Sequence, residues 1–229
     1  MSFDPLKWAT RVVLVALCLT IALDLIALVS DASYHSLVER IATGGVTSEQ
    51  VQAADDRQST IGVVQLVLLG ATGIVFIFWF SRADRNLGRL GIRDLRWGQG
   101  WAVGAWLVPL LNFVRPKSIA NDIWRGSKPN LPAQAGLPSG DTGDVPWYHT
   151  AWWALFIVDG LFARFAYQNV RDAETVSRLS SATTQVLVSD SLDTLAAALA
   201  IAVVYQTAKR QRLRARVLAD HAADSGGHT

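Results

Sequence analysis

The sequence predicts an all-α fold: a polytopic membrane helix bundle with four transmembrane helices plus a re-entrant or interfacial segment on the cytoplasmic side. Three observations predict it. Of the 229 residues, 17% are charged and 51% hydrophobic, whereas a soluble domain carries about 25% charged residues. Four windows reach the ~20 residues that cross roughly 30 Å of hydrocarbon. The basic residues gather in blocks beside those windows. A soluble secreted protein and a disordered chain both fit this composition poorly. The net charge of +2 is too small to point to nucleic acid.

The first window is 12–30. Lys7 and Arg11 precede it in the manner of a signal peptide, but the apolar run continues to Val29 with only Asp24 interrupting it. No small-x-small cleavage site follows, so it reads as a retained span. The single cysteine, Cys18, lies inside it and excludes an intramolecular disulfide. Residues 31–60 set five carboxylates against Arg40 and Arg57. Gly44-Gly45 reads as a turn. Thr47-Ser-Glu-Gln50 is a capping box, with Thr47 as N-cap and Gln50 reaching back, so a short helix should lead into the next span.

The second window is 61–81, with Gly70 and Gly73 as weak signs of close packing. Five arginines then face two aspartates over 82–97. Segment 98–114 is apolar but short: its 17 residues would reach about 25 Å as a helix. Pro109 would kink it. Residues 115–128 hold Arg115, Lys117, Arg125 and Lys128 against Asp122. Pro116 suits a helix start, and Ile119, Ile123 and Trp124 give an amphipathic helix over 116–126. Gly and Pro mark 126–146 as a flexible loop. The third and fourth windows are 150–169 and 186–205. Residues 1–208 thus form a single membrane domain, and 209–229 a basic, then polar, tail.

Lys and Arg near span ends favour the cytoplasm. All three basic blocks fall on one side only with four spans and a segment 98–114 that does not cross. Both termini are then cytoplasmic, in a multi-pass protein of a bacterial plasma membrane. Trp8, Trp79, Trp147, Trp152, Trp153 and Tyr205 come to the cytoplasmic interface, and Tyr34 and Tyr167 to the other.

Two groups of residues carry the functional reading. Asp24, Asp159, Arg164, Asp190 and Asp193 lie inside spans, where charge is costly unless paired or wet. With Arg164 against the carboxylates they form a candidate polar network, either a helix-orienting device or a proton or cation path. On the cytoplasmic face, Arg82, Arg85 and Arg89 share one side of a helix. With Trp101, Trp106, Arg115, Lys117, Trp124 and Arg125 they make a candidate surface for anionic lipid heads.

That face also carries a resemblance. Phe80-Ser-Arg82-Ala-Asp-Arg85-Asn86, then Trp101-Ala-Val-Gly104-Ala-Trp106, Val108-Pro109, Asn112 and Pro116, then Ile123-Trp124, are similar to the core of a bacterial membrane family filed as domain of unknown function 4328. The aromatic-rich third span from Trp147 fits the same pattern, and the similarity covers roughly residues 10–208. The family resembles this chain in being multi-span and common in actinobacteria. The resemblance implies membrane location and supplies no activity or catalytic residue.

No Walker loop, Rossmann fingerprint or HExxH string occurs. The four histidines, His35, His149, His221 and His228, are scattered. No catalytic, cofactor or metal site is therefore expected. The leading expectation is a non-catalytic membrane protein with a basic, Trp-rich cytoplasmic face. Its partners are anionic lipids, with a membrane protein or a second copy as further partners and no nucleic acid. The alternative is a small transporter or channel using the intramembrane Asp and Arg residues.

Overall fold

The computed structural model describes residues 5–41, 44–93, 95–98, 100–132, 136–137, 145–171 and 175–226. Asp94, Gln99, His228, the Tyr167 side chain and much of the 126–146 loop lie outside the described residues.

The fold is all-α. Helix α1 runs Pro5–Ile41, α2 Ser48–Arg89, α3 Trp101–Leu107, α4 Arg115–Gly126, α5 Trp147–Arg171 and α6 Val176–Gly226, with a 3₁₀ turn at Leu111–Phe113. Each expected span is part of a longer helix. The capping box forms as the sequence predicts: Thr47 N–H donates to Gln50 Oε1 at 3.1 Å, and Gln50 N–H donates to Thr47 Oγ1 at 3.3 Å. The helix it starts is continuous with the second span. Residues 209–226, expected as a tail, continue α6.

Helix α2 stops in a Schellman motif. Gly91 takes φ +78, open to a residue without Cβ; Gly91 N–H donates to Gly88 O at 3.1 Å and Ile92 N–H to Leu87 O at 3.0 Å. Segment 98–114 is broken. It yields the seven-residue α3, a turn and the 3₁₀ turn, and α3 rises only about 10 Å.

Three helical stretches, Leu6–Ile41, Ser48–Arg89 and Ser180–Asp224, are long and apolar enough to cross a membrane. Helix α5, the expected third of four spans, is not among them. Its 25 residues suffice in length, but Asp159, Arg164 and the Trp152–Trp153 pair dilute its apolar run. Side chains such as Leu66 and Ile74 are 70% and 72% exposed. A helix that shows its apolar residues outward along a bilayer-length stretch uses lipid as its solvent. This is an integral membrane protein.

The chain folds into two compact units: Met1–Val15, Gly73–Ala151 and Leu199–Thr229 form the first, Ala16–Thr72 and Trp152–Ala198 the second. In the first unit, Val13, Trp79, Leu87, Ile119, Ile123 and Val204 are buried. Trp79 Nε1–H donates to Thr10 Oγ1 at 3.1 Å, so this expected interface residue is core. Trp106 fastens α3 to α2, its ring 5.7 Å from both Phe76 and Phe80. At Gly126 a Cβ would lie 3.0 Å from Leu87 Cδ2, so the end of α4 packs at glycine range.

In the second unit α1 and α2 run antiparallel along a polar seam. Thr20 meets Thr72 (3.1 Å), Asp24 accepts from Gln65 Nε2 (3.3 Å), Asp31 accepts from Gln58, and Tyr34 OH donates to Asp55 (2.7 Å). Arg57 Nε–H donates to Ser30 Oγ at 3.0 Å. Helices α5 and α6 add Asn169 Nδ2 to Gln185 Oε1 at 2.7 Å. Such side-chain bonds hold membrane helices together where burial of apolar surface supplies no force.

Candidate functional site

The basic face is built on α2, α3 and α4 in the first unit. Arg82, Arg85 and Arg89 leave the last turns of α2 exposed, and Arg82 lies 4.5 Å over the Phe78 ring. Arg115, at the start of α4, stacks on two rings: its guanidinium carbon is 3.9 Å from the Trp101 centroid and 4.6 Å from Trp97. Between them the arginine is fixed by cation–π attraction.

The strand of chain between α3 and α4 is unusually apolar for a surface. Leu107, Leu110 and Val114 are 72%, 83% and 67% exposed, with Val108 and Phe113 also outward. Five apolar side chains thus project immediately before Arg115.

Helix α4 turns the rest of its residues inward. Ile119, Ile123 and Trp124 are buried, as are Asp122 and Arg125. The apolar edge expected to meet lipid therefore packs on protein, because α4 sits against Leu87 at Gly126. Lys117 Nζ donates to Asn121 Oδ1 at 2.8 Å. Burial lowers its ammonium to about 8, with Arg125 adding repulsion. Burial raises the Asp122 carboxyl, against the pull of Arg96 at 3.9 Å and Arg125 at 3.8 Å.

Behind this face lies His149, at the start of α5. It is fully buried against Trp124 (5.0 Å) and Tyr148 (5.2 Å), and neither ring nitrogen finds a hydrogen-bond partner among the described residues. Burial, then Lys117 and Arg210, push its imidazole down to about 3. It is a neutral core histidine. Burial raises the Tyr148 phenol in the same pocket, against Arg210.

Arg214 on α6 is fully buried as well. Its Nε donates to Leu90 O (2.9 Å), Nη1 to Lys128 O (2.7 Å) and Leu131 O (3.1 Å), and Nη2 to Pro132 O (3.4 Å). One guanidinium thus ties α6 to the end of α2 and to the chain after α4. Gln211, one turn earlier, donates to Ala83 O at 3.0 Å and accepts from Asn86 at 2.8 Å. Neither role follows from reading 209–229 as a tail.

Of the five charged residues expected inside the spans, four come to one place. Asp24, Asp159, Asp190 and Asp193 all line one cavity of about 380 Å³ in the second unit, together with Gln65 and Ser189. Ser189 Oγ–H donates to Asp159 Oδ1 at 3.2 Å. Asp24 is 2% exposed, and its Oδ2 has no hydrogen-bond partner among the described residues. Arg164 is exposed and does not line the cavity. The reason is helical phase: five residues along α5 from Asp159 turn about 140°, so the two side chains face apart. Among the described residues, no group of three or more His, Cys, Asp or Glu could hold a metal ion.

Several helices long and apolar enough to cross a bilayer define a multi-pass membrane protein. The chain belongs to the family described as domain of unknown function 4328, whose model matches residues 42–209. Helix α1 lies outside the matched part, which is narrower than the 10–208 that the sequence suggests. No curated protein and no solved structure matches the chain.

Proposed function

We propose that this is a non-catalytic bacterial plasma-membrane protein whose basic, Trp-rich cytoplasmic face gathers anionic lipid headgroups. It crosses the bilayer four times, with α5 as the third span in chain order and both termini cytoplasmic. Segment 98–114 enters the near leaflet and does not cross.

One observation carries the reading: the exposed apolar projection Leu107–Val114, which ends on an arginine stacked between two tryptophans. An apolar tip beside an amphipathic cation is the arrangement that seats at the boundary of acyl chains and headgroups. Arg82, Arg85 and Arg89 are exposed on the same unit, and a cation near an anionic surface contributes about 1 kcal/mol. In this reading the acidic cavity of the second unit joins helices.

Extraction of the full chain into copolymer nanodiscs, with the captured lipid quantified, tests it. Phosphatidylglycerol should be enriched over the bulk membrane, and Arg82→Gln/Arg85→Gln/Arg115→Gln should reduce that enrichment. Equal lipid composition around both proteins would remove the proposal. Thiol labelling of Leu110→Cys in a Cys18→Ala background checks the geometry. Quenching by lipid-borne labels is expected, and quenching by aqueous iodide alone would place the tip in water.

A further inference from the structure

A second basic feature of the first unit shares only Arg89 with the basic face described above. It is a groove of about 990 Å³ walled by α1, α2 and α6. Six cations line it: Lys7 and Arg11 from α1, Arg89 from α2, and Lys209, Arg212 and Arg216 from α6. Helical phase explains the convergence. Positions 7 and 11 are one turn apart, and 209, 212 and 216 follow the i, i+3, i+7 spacing of a single face.

Among the described residues, no carboxylate lines the groove. None of the six cations has an ion pair among the described residues; the salt bridges there are His35–Glu39, Arg96–Asp122 and Arg125–Asp122. Like charges gathered around one hollow repel one another until an anion enters. The volume is at the upper end for a small-ligand site, and one phosphate would leave most of the charge uncompensated.

The rim decides between a lipid and a soluble anion. Trp8 and Tyr205 line the groove and are 58% and 47% exposed. On α1, Trp8, Arg11 and Val15 share a face, and Val15 is 59% exposed. That face passes from aromatic through cationic to apolar within two turns, in the order met by a lipid from its headgroup to its chains.

We infer that this groove seats one anionic phospholipid carrying two phosphates, with Lys7, Arg11, Lys209, Arg212 and Arg216 on the phosphates and the acyl chains against α1. The inference rests on the proposed lipid-gathering role and adds to it a single saturable site of defined charge.

Native mass spectrometry of the detergent-purified full chain tests it, with cardiolipin, phosphatidylglycerol, phosphatidylcholine and inorganic pyrophosphate as probes. One cardiolipin should bind at least tenfold more tightly than phosphatidylglycerol, with phosphatidylcholine weakest. Arg212→Gln/Arg216→Gln should weaken cardiolipin by about thirtyfold, whereas Arg212→Lys/Arg216→Lys should keep most of the affinity. These side chains stand at the surface, and an unchanged elution volume verifies folding. Arg82→Gln/Arg85→Gln should leave the single cardiolipin site intact while reducing general phosphatidylglycerol enrichment.

Cardiolipin binding that is unaffected by the Arg212/Arg216 pair but lost with the Arg82/Arg85 pair would overturn the groove and leave the broader lipid role standing. Indifference to both pairs would overturn both. Pyrophosphate binding as tightly as cardiolipin would overturn the lipid as occupant.

Discussion

The two units handle charge in opposite ways. The first is cationic and aromatic: Arg115 rests on Trp97 and Trp101, Arg210 lies 4.3 Å over Trp124, and Arg214 is buried among carbonyls. The second is acidic and amide-rich, with Asp24, Asp159, Asp190 and Asp193 around one cavity and Gln58, Gln65 and Gln185 bridging helices. Arg96 and Arg125 approach Asp122 no closer than 3.9 and 3.8 Å. The difference teaches that arginine and aspartate have separate uses here. A delocalised guanidinium can be satisfied by rings and backbone oxygens, whereas a carboxylate needs donors, which glutamine, serine and tyrosine supply.

The comparison breaks most severely at Arg214. Arg214→Ala should leave the carbonyls of Leu90, Lys128, Leu131 and Pro132 without donors, at a cost on the order of 4 kcal/mol. Loss of monodisperse protein in detergent, only partly restored by Arg214→Lys, is the expected result. An unchanged melting temperature would show that these carbonyls find other donors.

His149 gives the next effect, and it is pH-dependent. Its folded-state pKa of about 3 lies below the ordinary 6.5, so the unfolded chain takes a proton that the folded chain refuses. Stability from this group is complete above about pH 6.5 and falls on acidification towards about 3, by up to about 1.4 kcal/mol per pH unit. His149→Phe should flatten that part of the profile. Parallel profiles for the two proteins would show that the ring is solvated.

The second unit should yield smaller numbers. A double-mutant cycle on Asp24→Ala and Gln65→Ala should give a coupling of about 0.6 kcal/mol, and at most about 1.7. A coupling above that range would mean that the acidic unit uses buried charge as heavily as the basic one.

Much of the architecture was legible because helices announce themselves locally. Apolar windows, the Thr47–Gln50 box and Pro116 each act within a few residues, and each marks an element that forms. The four aspartates were legible as charges inside apolar windows, and it is the fold that brings them to one cavity. The misplacement of Arg164 was avoidable, since the 140° turn from Asp159 is arithmetic on the sequence. Arg214 also left a trace: Val204, Thr207, Gln211 and Arg214 continue one buried stripe at helical spacing, which the surrounding basic residues disguise. The inward turn of α4 was not legible, because it depends on the approach to Leu87 at Gly126, a contact between residues far apart in sequence.

Arg214 has a further consequence for how the protein is made. The carbonyls of Lys128, Leu131 and Pro132 precede it by 86, 83 and 82 residues. At about 5–20 residues per second, a ribosome finishes that interval in roughly 4–17 s. Throughout this time α4 and the chain after it have been synthesised without the cation that locks them. Until α6 arrives, the carbonyls of Lys128, Leu131 and Pro132 lack the Arg214 donor. Assembly of the first unit is therefore governed by a late-translated residue, and a nascent chain halted before Arg214 should leave Lys128–Pro132 open to protease.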